Sequence, residues 1–131
     1  EISETTKREN EVILEEENYQ EKYDGFDPND PASHIVFELI QSEYLEQSLS
    51  LASKVQEQLK TYSNRHNRGV KQAGFVVLWK TTMPSILVET GYLTNGTERN
   101  YLTSTSGQDK LASGIFNAFV DYKKEMETKG E

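Results

Sequence analysis

From Ser33 to Ser63, apolar side chains recur at steps of three and four residues. This period places them on one face of an α-helix. Ser33 has the side chain of an N-cap residue, and the polar run 63–69 supplies the asparagine and glycine that end helices. The sequence therefore predicts one long helix over 33–63 that packs against the core. Its inward positions are Ile40, Tyr44, Leu45, Leu49, Ala52, Val55, Leu59 and Tyr62.

A second amphipathic helix is predicted towards the C-terminal end, from about Gly107 to Lys124. The spacing of its apolar residues again matches one helical face. We expect this helix to cover a sheet through that face. The stripe consists of Leu111, Ile115, Phe119, Tyr122 and Met126.

Two short β-prone runs lie between these helices, Phe75 to Trp79 (FVVLW) and Ile86 to Val88 (ILV). The link between them is too short for a crossover helix, so as neighbours in a sheet they would be antiparallel. Residues 97–102 favour a helical turn that starts at a capping Asn95 or Thr97. The predicted fold class is α/β, with long helices packed on a sheet.

Acidic side chains are concentrated at the start of the chain. Residues 1–27 hold ten acidic and three basic side chains, which places −7 of the net charge of −8 in this segment. Residues 2–20 predict a short, weakly anchored helix, and the Gly, Pro and Asp residues of 23–32 predict a loop. Residues 1–32 are thus an acidic arm and loop, and the length of 131 residues fits one domain.

Several classes of protein are disfavoured by composition. No cluster of Lys and Arg with interleaved aromatic residues offers a surface for nucleic acid. No run approaches the roughly 20 apolar residues that a membrane span needs. The chain has no cysteine, which excludes disulfides and a thiolate zinc site and fits either an oxidising envelope or the cytosol.

The segment 68–102 carries a linked set of motifs. It reads RGVKQAGFVVLWKTTMPSILVETGYLTNGTERNYL, and it resembles the zinc-dependent N-acetylmuramoyl-L-alanine amidases, peptidoglycan amidase family 3. The shared parts are the VLW signature, the run MPSILVE, the turn GYLTN and the acidic start of a short helix. The resemblance extends from the KREN segment at Lys7 to the terminal helix.

This resemblance implies a fold, an activity and a location. The fold would be a three-layer αβα domain with a mixed six-stranded sheet, of which this chain holds the last two strands. The activity would be zinc-dependent hydrolysis of the amide bond between N-acetylmuramic acid and L-alanine of the peptidoglycan stem peptide. The substrate implies a place in the cell envelope, periplasmic or extracellular.

Glu89 is the candidate catalytic residue. It follows the run Ile86 to Val88 and precedes Gly91, so its carboxylate would stand at the mouth of a strand. Amide hydrolysis needs a group that takes a proton from the attacking water and delivers one to the leaving amine. The resemblance gives that role to this motif glutamate. An ordinary polar residue at a strand end is the alternative.

The zinc ligands implied by the resemblance, two histidines and a glutamate, would belong to sequence before Glu1. His34 and His66 are the only histidines of this chain, and each lies in the wrong motif and spacing for a ligand. We expect both to be loop or helix-start residues. The chain alone should then neither bind catalytic zinc nor hydrolyse peptidoglycan.

Glu11 is a candidate regulatory residue in the acidic arm. Division-associated members of the resembled family contain a removable helix at a comparable point that blocks the zinc with a carboxylate, and an activator protein would displace it. A solvated acidic helix without a regulatory role is the alternative. The alternative for the whole chain is a non-catalytic module that binds peptidoglycan or a partner through the long helix and the arm.

Overall fold

The computed structural model of this chain describes residues 4–63, 67–79 and 81–130. The described residues divide into two compact units. The first takes in Glu1–Glu46 and Lys71–Leu87, and the second takes in Gln47–Val70 and Val88–Glu131. The assignment of the chain to one domain stays a prediction.

The acidic arm of the first unit is helical and ordered. Helix α1 spans Glu4–Glu11, a 3₁₀ turn follows at Val12–Glu15, and the short helix α2 spans Tyr19–Lys22. Ile13 is buried in this arm, whereas its neighbours Val12 and Leu14 are exposed. A single apolar side chain of the predicted trio therefore anchors the arm.

Helix α3 spans Pro31–Gln41 and starts earlier than expected. Asp30 is its N-cap and accepts a hydrogen bond from the backbone N–H of Ala32 at 3.0 Å. Pro31 occupies the first turn, where its fixed φ favours the helix and its missing N–H costs nothing. The prediction that Ser33 is the cap was therefore wrong.

The predicted long helix is interrupted. A 3₁₀ turn at Ser42–Tyr44 separates α3 from α4, which spans Leu45–Ser63. The Ser42 hydroxyl donates to the carbonyl of Leu39 at 2.6 Å within this turn. A serine that bonds back to the preceding turn competes with regular helix geometry. The helical character of 33–63 was thus predicted correctly, but not its continuity, and the assignment of Ile40, Leu45 and Tyr62 to the inner face was wrong because all three are exposed.

Aromatic residues form the core of the first unit. Phe37 on α3 packs against Phe26 and Trp79, with ring centroids 5.4 Å and 5.8 Å away. Ile13 and Val76 complete the buried cluster, with Tyr19 and Tyr23 packed against it. Offset and tilted rings at such distances are favourable for aromatic pairs. This cluster joins the arm, α3 and the segment around Val76.

The second unit contains most of α4, helix α5 at Gly96–Leu102 and helix α6 at Thr105–Lys129. Side-chain contacts join α4 to α6: Lys54 pairs with Glu125 at 2.7 Å, Gln58 donates to Asp121 at 2.9 Å, and Asn117 donates to the Tyr62 hydroxyl at 2.9 Å. Val55 is the buried residue of α4 between them.

The buried stripe of α6 differs from the predicted one. Phe119 is 53% exposed, so its assignment to the inner face was wrong. A Cβ at Gly114 would lie 2.9 Å from Leu59 Cδ2, which shows how closely α6 approaches α4. Gly114 permits this approach, whereas Phe119 is adjacent to the buried Ala118 and therefore lies off the buried face. The buried positions are Gly107, Leu111, Gly114, Ala118 and Tyr122.

The described residues contain no β-strand, which contradicts the predicted α/β class and the sheet of a three-layer αβα fold. The run from Phe75 to Trp79 instead holds a 3₁₀ turn at Val76–Leu78, and Ile86 to Val88 has no regular secondary structure. A β-prone run becomes a strand only where a neighbour accepts its hydrogen bonds, and a lone strand pair is marginal in water. The two runs do not pair with each other, and the observed fold is helical.

Within the described parts of the chain, every helix is too short or too polar to cross a bilayer.

Candidate active site

Glu89 lies in a segment without regular secondary structure, at the point where the chain enters the second unit for the last time. Along this segment Ile86 and Val88 are half-buried, whereas Leu87 and Glu89 are exposed. The burial pattern therefore has the alternation expected of an extended chain. The carboxylate of Glu89 stands on the side that faces solvent, where a water molecule and a substrate can reach it.

A tight turn follows Glu89. Gly91 has φ of 148°, a backbone conformation that side chains with a Cβ rarely adopt. The backbone N–H of Asn95 then donates to the carbonyl of Tyr92 at 3.2 Å. This φ explains why position 91 holds a glycine. We call residues 91–95 the site turn.

The site turn ends at the N-cap of α5. Asn95 accepts a hydrogen bond from the backbone N–H of Glu98 at 3.1 Å, so it satisfies one of the unpaired donors of the first helical turn. Of the two caps predicted, Asn95 and Thr97, the structure uses Asn95.

Glu98 ties the site turn to a distant part of the chain. Its Oε2 accepts from the backbone N–H of Tyr92 at 2.6 Å, and its Oε1 accepts from the Arg68 guanidinium at 3.0 Å. Arg68 also lies over the ring of Tyr92, with its Cζ 4.6 Å from the ring centroid. Three residues thus form one network, which we call the Arg68 lock.

The Arg68 lock was missed by the sequence analysis. Glu98 lies three residues after Asn95, which is the spacing of a capping box, so a local signal for Glu98 existed. Its carboxylate accepts from the backbone N–H of Tyr92, three residues before the cap. Arg68 carries no local signal because its partner Glu98 is 30 residues away.

The charges around the lock interact. The hydrogen bond to Glu98 is the main reason that the pKa of Arg68 is raised above its ordinary value. The negative charge of Glu89 acts in the same direction, after those of Glu98 and Tyr92.

Glu11, the candidate regulatory residue, is the last residue of α1 in the first unit. It forms an ion pair with Lys7 one turn earlier, at 3.9 Å, and both side chains are largely exposed. Such exposed pairs contribute little to stability. The position therefore leaves the Glu11 carboxylate accessible, and its regulatory role stays a prediction.

His34 is a buried residue in the first turn of α3. Its Nε2 donates to the Pro28 carbonyl at 2.9 Å, and its ring meets Phe26 edge-on at 5.1 Å. His66 lies outside the described residues. Over residues 4–63, 67–79 and 81–130, no group of three or more His, Asp or Glu side chains is arranged to hold a metal ion. These residues do not by themselves fit a zinc site.

Comparisons with known proteins agree on one family. The family model described as N-acetylmuramoyl-L-alanine amidase matches residues 23–121. The amidase AmiA of Salmonella typhimurium is 36% identical over 67% of the chain and 30% of that relative. The amidase AmiC of Escherichia coli is 34% identical over 68% of the chain and 21% of that relative. The uncharacterized protein YqiI of Bacillus subtilis is 40% identical over 63% of the chain and 40% of that relative. No solved structure matches the chain.

The family match covers most of the chain, including Glu89 and the Arg68 lock. The chain belongs to the N-acetylmuramoyl-L-alanine amidase family, which confirms the resemblance seen in residues 68–102. The chain spans about 30% of the length of the AmiA relative that it matches.

Proposed function

We propose that the protein to which this chain belongs is a peptidoglycan hydrolase that cleaves the amide bond between N-acetylmuramic acid and L-alanine of the stem peptide. The observation that carries the proposal is the family match over residues 23–121, which contains the exposed Glu89 and its turn. The names of the AmiA and AmiC relatives support it. The substrate would place the protein in the cell envelope, periplasmic or extracellular.

In this proposal Glu89 transfers the proton. The attacking water gives a proton to the Glu89 carboxylate as its oxygen bonds to the amide carbon, and the protonated acid then delivers it to the leaving amine nitrogen of L-alanine. One carboxylate can serve both steps because it is ionised before attack and neutral afterwards. Its exposure and the fixed turn beside it support this role.

The family resemblance also implies zinc. The described residues of this chain do not supply a ligand cluster, so none of them is assigned to the metal. The zinc requirement is proposed for the whole protein, with this chain contributing the carboxylate. The isolated chain is expected to show no turnover.

The test is Glu89→Gln in the full-length protein, assayed on purified muropeptides. The amide keeps the shape of the side chain but cannot accept a proton, so the rate should fall on the order of 10²- to 10⁴-fold while the zinc content is unchanged. Glu43→Gln, at an exposed glutamate of the first unit, is the control and should retain the full rate. A rate for Glu89→Gln near that of the wild type would remove Glu89 from the mechanism.

A non-catalytic binding module is the second candidate. The observation in its favour is the exposed apolar surface of α3, where Ile35, Val36 and Leu39 are each more than half exposed. Such a surface is typical of an interaction site. Sedimentation of the purified chain with insoluble peptidoglycan tests this candidate. Binding by the chain together with an inactive full-length protein would favour it over the hydrolase.

We further propose that the acidic arm restrains the enzyme through Glu11 until an activator protein displaces it. The support is a partly exposed carboxylate at the end of α1, whose ion pair with Lys7 is weak. Basal hydrolysis by the full-length protein should rise in Glu11→Ala, which leaves the buried residues of the arm in place. Glu17→Ala, at an exposed position of the same arm, is the control. An unchanged basal rate in folded, metal-loaded Glu11→Ala would exclude the restraint.

A further inference from the structure

Three contacts converge on the short stretch that follows Glu89. Glu98 holds the Tyr92 backbone N–H at 2.6 Å, Arg68 holds Glu98 at 3.0 Å, and Arg68 covers the Tyr92 ring at 4.6 Å. Only Thr90 and Gly91 separate Tyr92 from Glu89. Contacts that fix the position of Tyr92 therefore also limit the position of the backbone at Glu89.

We infer that Arg68 is a positioning residue for Glu89, acting through Glu98 and Tyr92 to hold the site turn in one conformation. The inference rests on the proposed function of Glu89. Arg68 is distant from Glu89 in the sequence, and its role is to hold the turn after Glu89 in position.

The lock is built from strong contacts. Both oxygens of Glu98 accept, one from a backbone N–H and the other from a guanidinium, and hydrogen bonds between charged groups are shorter and stronger than neutral ones. The Glu98 side chain is only 16% exposed. Partial shielding from water reduces the screening that weakens ordinary surface ion pairs.

Arginine is required for this arrangement. A planar guanidinium can bind a carboxylate at its edge while its face covers an aromatic ring, whereas a lysine ammonium is a point charge that cannot do both in one geometry. The guanidinium stays cationic at any pH at which the protein is folded. Lysine at position 68 would preserve the charge near Glu89 and lose the stacking.

Arg68 lies in a turn formed by residues 67–69. The Asn67 side chain accepts from the Gly69 N–H at 2.7 Å, and Gly69 has φ of +85°. A Cβ at this glycine would meet no atom within 4 Å. Glycine is thus required at position 69 for its conformation and not for space. This turn sets the direction in which the chain carries Arg68.

The role of Arg68 matters because a catalytic carboxylate must be held near its productive position. A displacement of about 1 Å can lower a rate roughly 10²-fold without changing how substrate binds. Glu89 is exposed, and the segment that carries it is not part of a helix or strand in the described residues. The Arg68 lock supplies a restraint that a sheet would otherwise provide.

The test compares Arg68→Gln, Arg68→Lys and Glu98→Gln in the full-length enzyme, with kcat and KM measured on muropeptides. Arg99→Gln, at an exposed arginine of the same helix as Glu98, is the matched control. We expect kcat to fall roughly 10- to 100-fold in Arg68→Gln and Glu98→Gln, with KM and zinc content unchanged. The kcat of Arg68→Lys should lie between those of Arg68→Gln and the wild type. The kcat of Arg99→Gln should equal that of the wild type.

The effects of Arg68→Gln and Glu98→Gln on kcat should not be independent, because both variants break the same network. The double variant Arg68→Gln/Glu98→Gln should lose no more rate than either single variant, whereas independent effects would multiply. Glu98→Gln keeps the shape of the side chain and answers the same question if Arg68→Gln does not fold.

The variants of Glu89 and of the Arg68 lock test the two roles separately. If Glu89→Gln is inactive and both lock variants keep kcat within twofold of the wild type, the positioning role is wrong and Glu89 remains catalytic. If KM rises while kcat is constant, Arg68 binds substrate, and positioning is again wrong. If Glu89→Gln is active, the proposed function of Glu89 itself fails.

Discussion

The buried side chain of Asn10 accepts a hydrogen bond from the backbone N–H of Val76 at 2.9 Å, although 66 residues separate them. The same side chain donates to the Gly74 carbonyl at 2.8 Å. Asn10 thus pairs with the backbone on both sides of Phe75, as a neighbouring strand would. The acidic arm is fixed to the segment 74–76 by this pair and by Ile13 in the core.

Replacement of Asn10 by alanine should destabilise the first unit. Asn10 is 1% exposed, so its loss leaves two backbone groups of residues 74 and 76 without partners. At roughly 1–3 kcal/mol for each such group, the free energy of unfolding should fall by about 3 kcal/mol. Urea unfolding of the chain measures the change. Asn29→Ala, at an exposed asparagine, should cost less than about 0.5 kcal/mol, and equal effects would contradict the role of Asn10.

Local signals predicted much of the helical structure. The terminal helix was placed at about 107–124 and observed at Thr105–Lys129, and Asn95 was one of two predicted caps. Caps, glycine turns and amphipathic periods depend on neighbours within a few residues of the chain. Elements and turns of this kind can therefore be derived from one sequence.

Features with distant partners could not be predicted. Asn10 reads as a polar residue of an exposed helix until its partners at 74 and 76 are known. Arg68 reads as a solvated charge until Glu98 is placed beside it. The β-prone run around Val76 could not be told from a strand, because pairing and not propensity decides between the two. Glu89 was found through a family motif, and its surroundings only through the structure.

Phe37 should be the most sensitive core position of α3. Its side chain is 2% exposed and contacts two aromatic rings, so Phe37→Ala leaves a cavity and should cost about 3–5 kcal/mol of unfolding free energy. Leu39→Ala on the same helix removes a side chain that is 73% exposed and should cost less than about 0.5 kcal/mol. Chemical unfolding followed by circular dichroism compares the two. Similar losses would show that the buried cluster does not stabilise α3.

Two glycines should respond oppositely to alanine. A Cβ at Gly107 would lie 2.0 Å from the backbone oxygen of Tyr101, so the start of α6 must shift, at a cost of about 1–3 kcal/mol. A Cβ at Gly96 would meet only Arg99 Nη2 at 3.9 Å, and alanine there should stabilise by about 0.4–1 kcal/mol by restricting the unfolded chain. Thermal unfolding of Gly107→Ala and Gly96→Ala measures the two changes in stability. A neutral Gly107→Ala would show that α5 and α6 separate more easily than this contact implies.

The contact of α4 with α6 should weaken in acid. Hydrogen bonds from Lys129 and then Lys54 lower the pKa of Glu125 from its ordinary value of 4.5 to about 2. Because the folded pKa is the lower one, the unfolded chain binds a proton first as the pH falls. The stabilisation by Glu125 is therefore complete above about pH 4.5 and is lost between that pH and about pH 2.

Glu125→Gln isolates this effect from the other acidic groups. The difference in unfolding free energy between the wild type and Glu125→Gln should be constant above about pH 5 and should shrink as the pH is lowered to about 3, in urea titrations at each pH. Glu127→Gln is the control, since its pair with Lys123 is largely exposed and should contribute little at any pH. Lys54→Met should also shrink the difference, because it removes one of the two partners that hold the Glu125 carboxylate in its charged form. A difference that stays constant from about pH 6 to about pH 3 would show that Glu125 does not stabilise the pairing of α4 with α6.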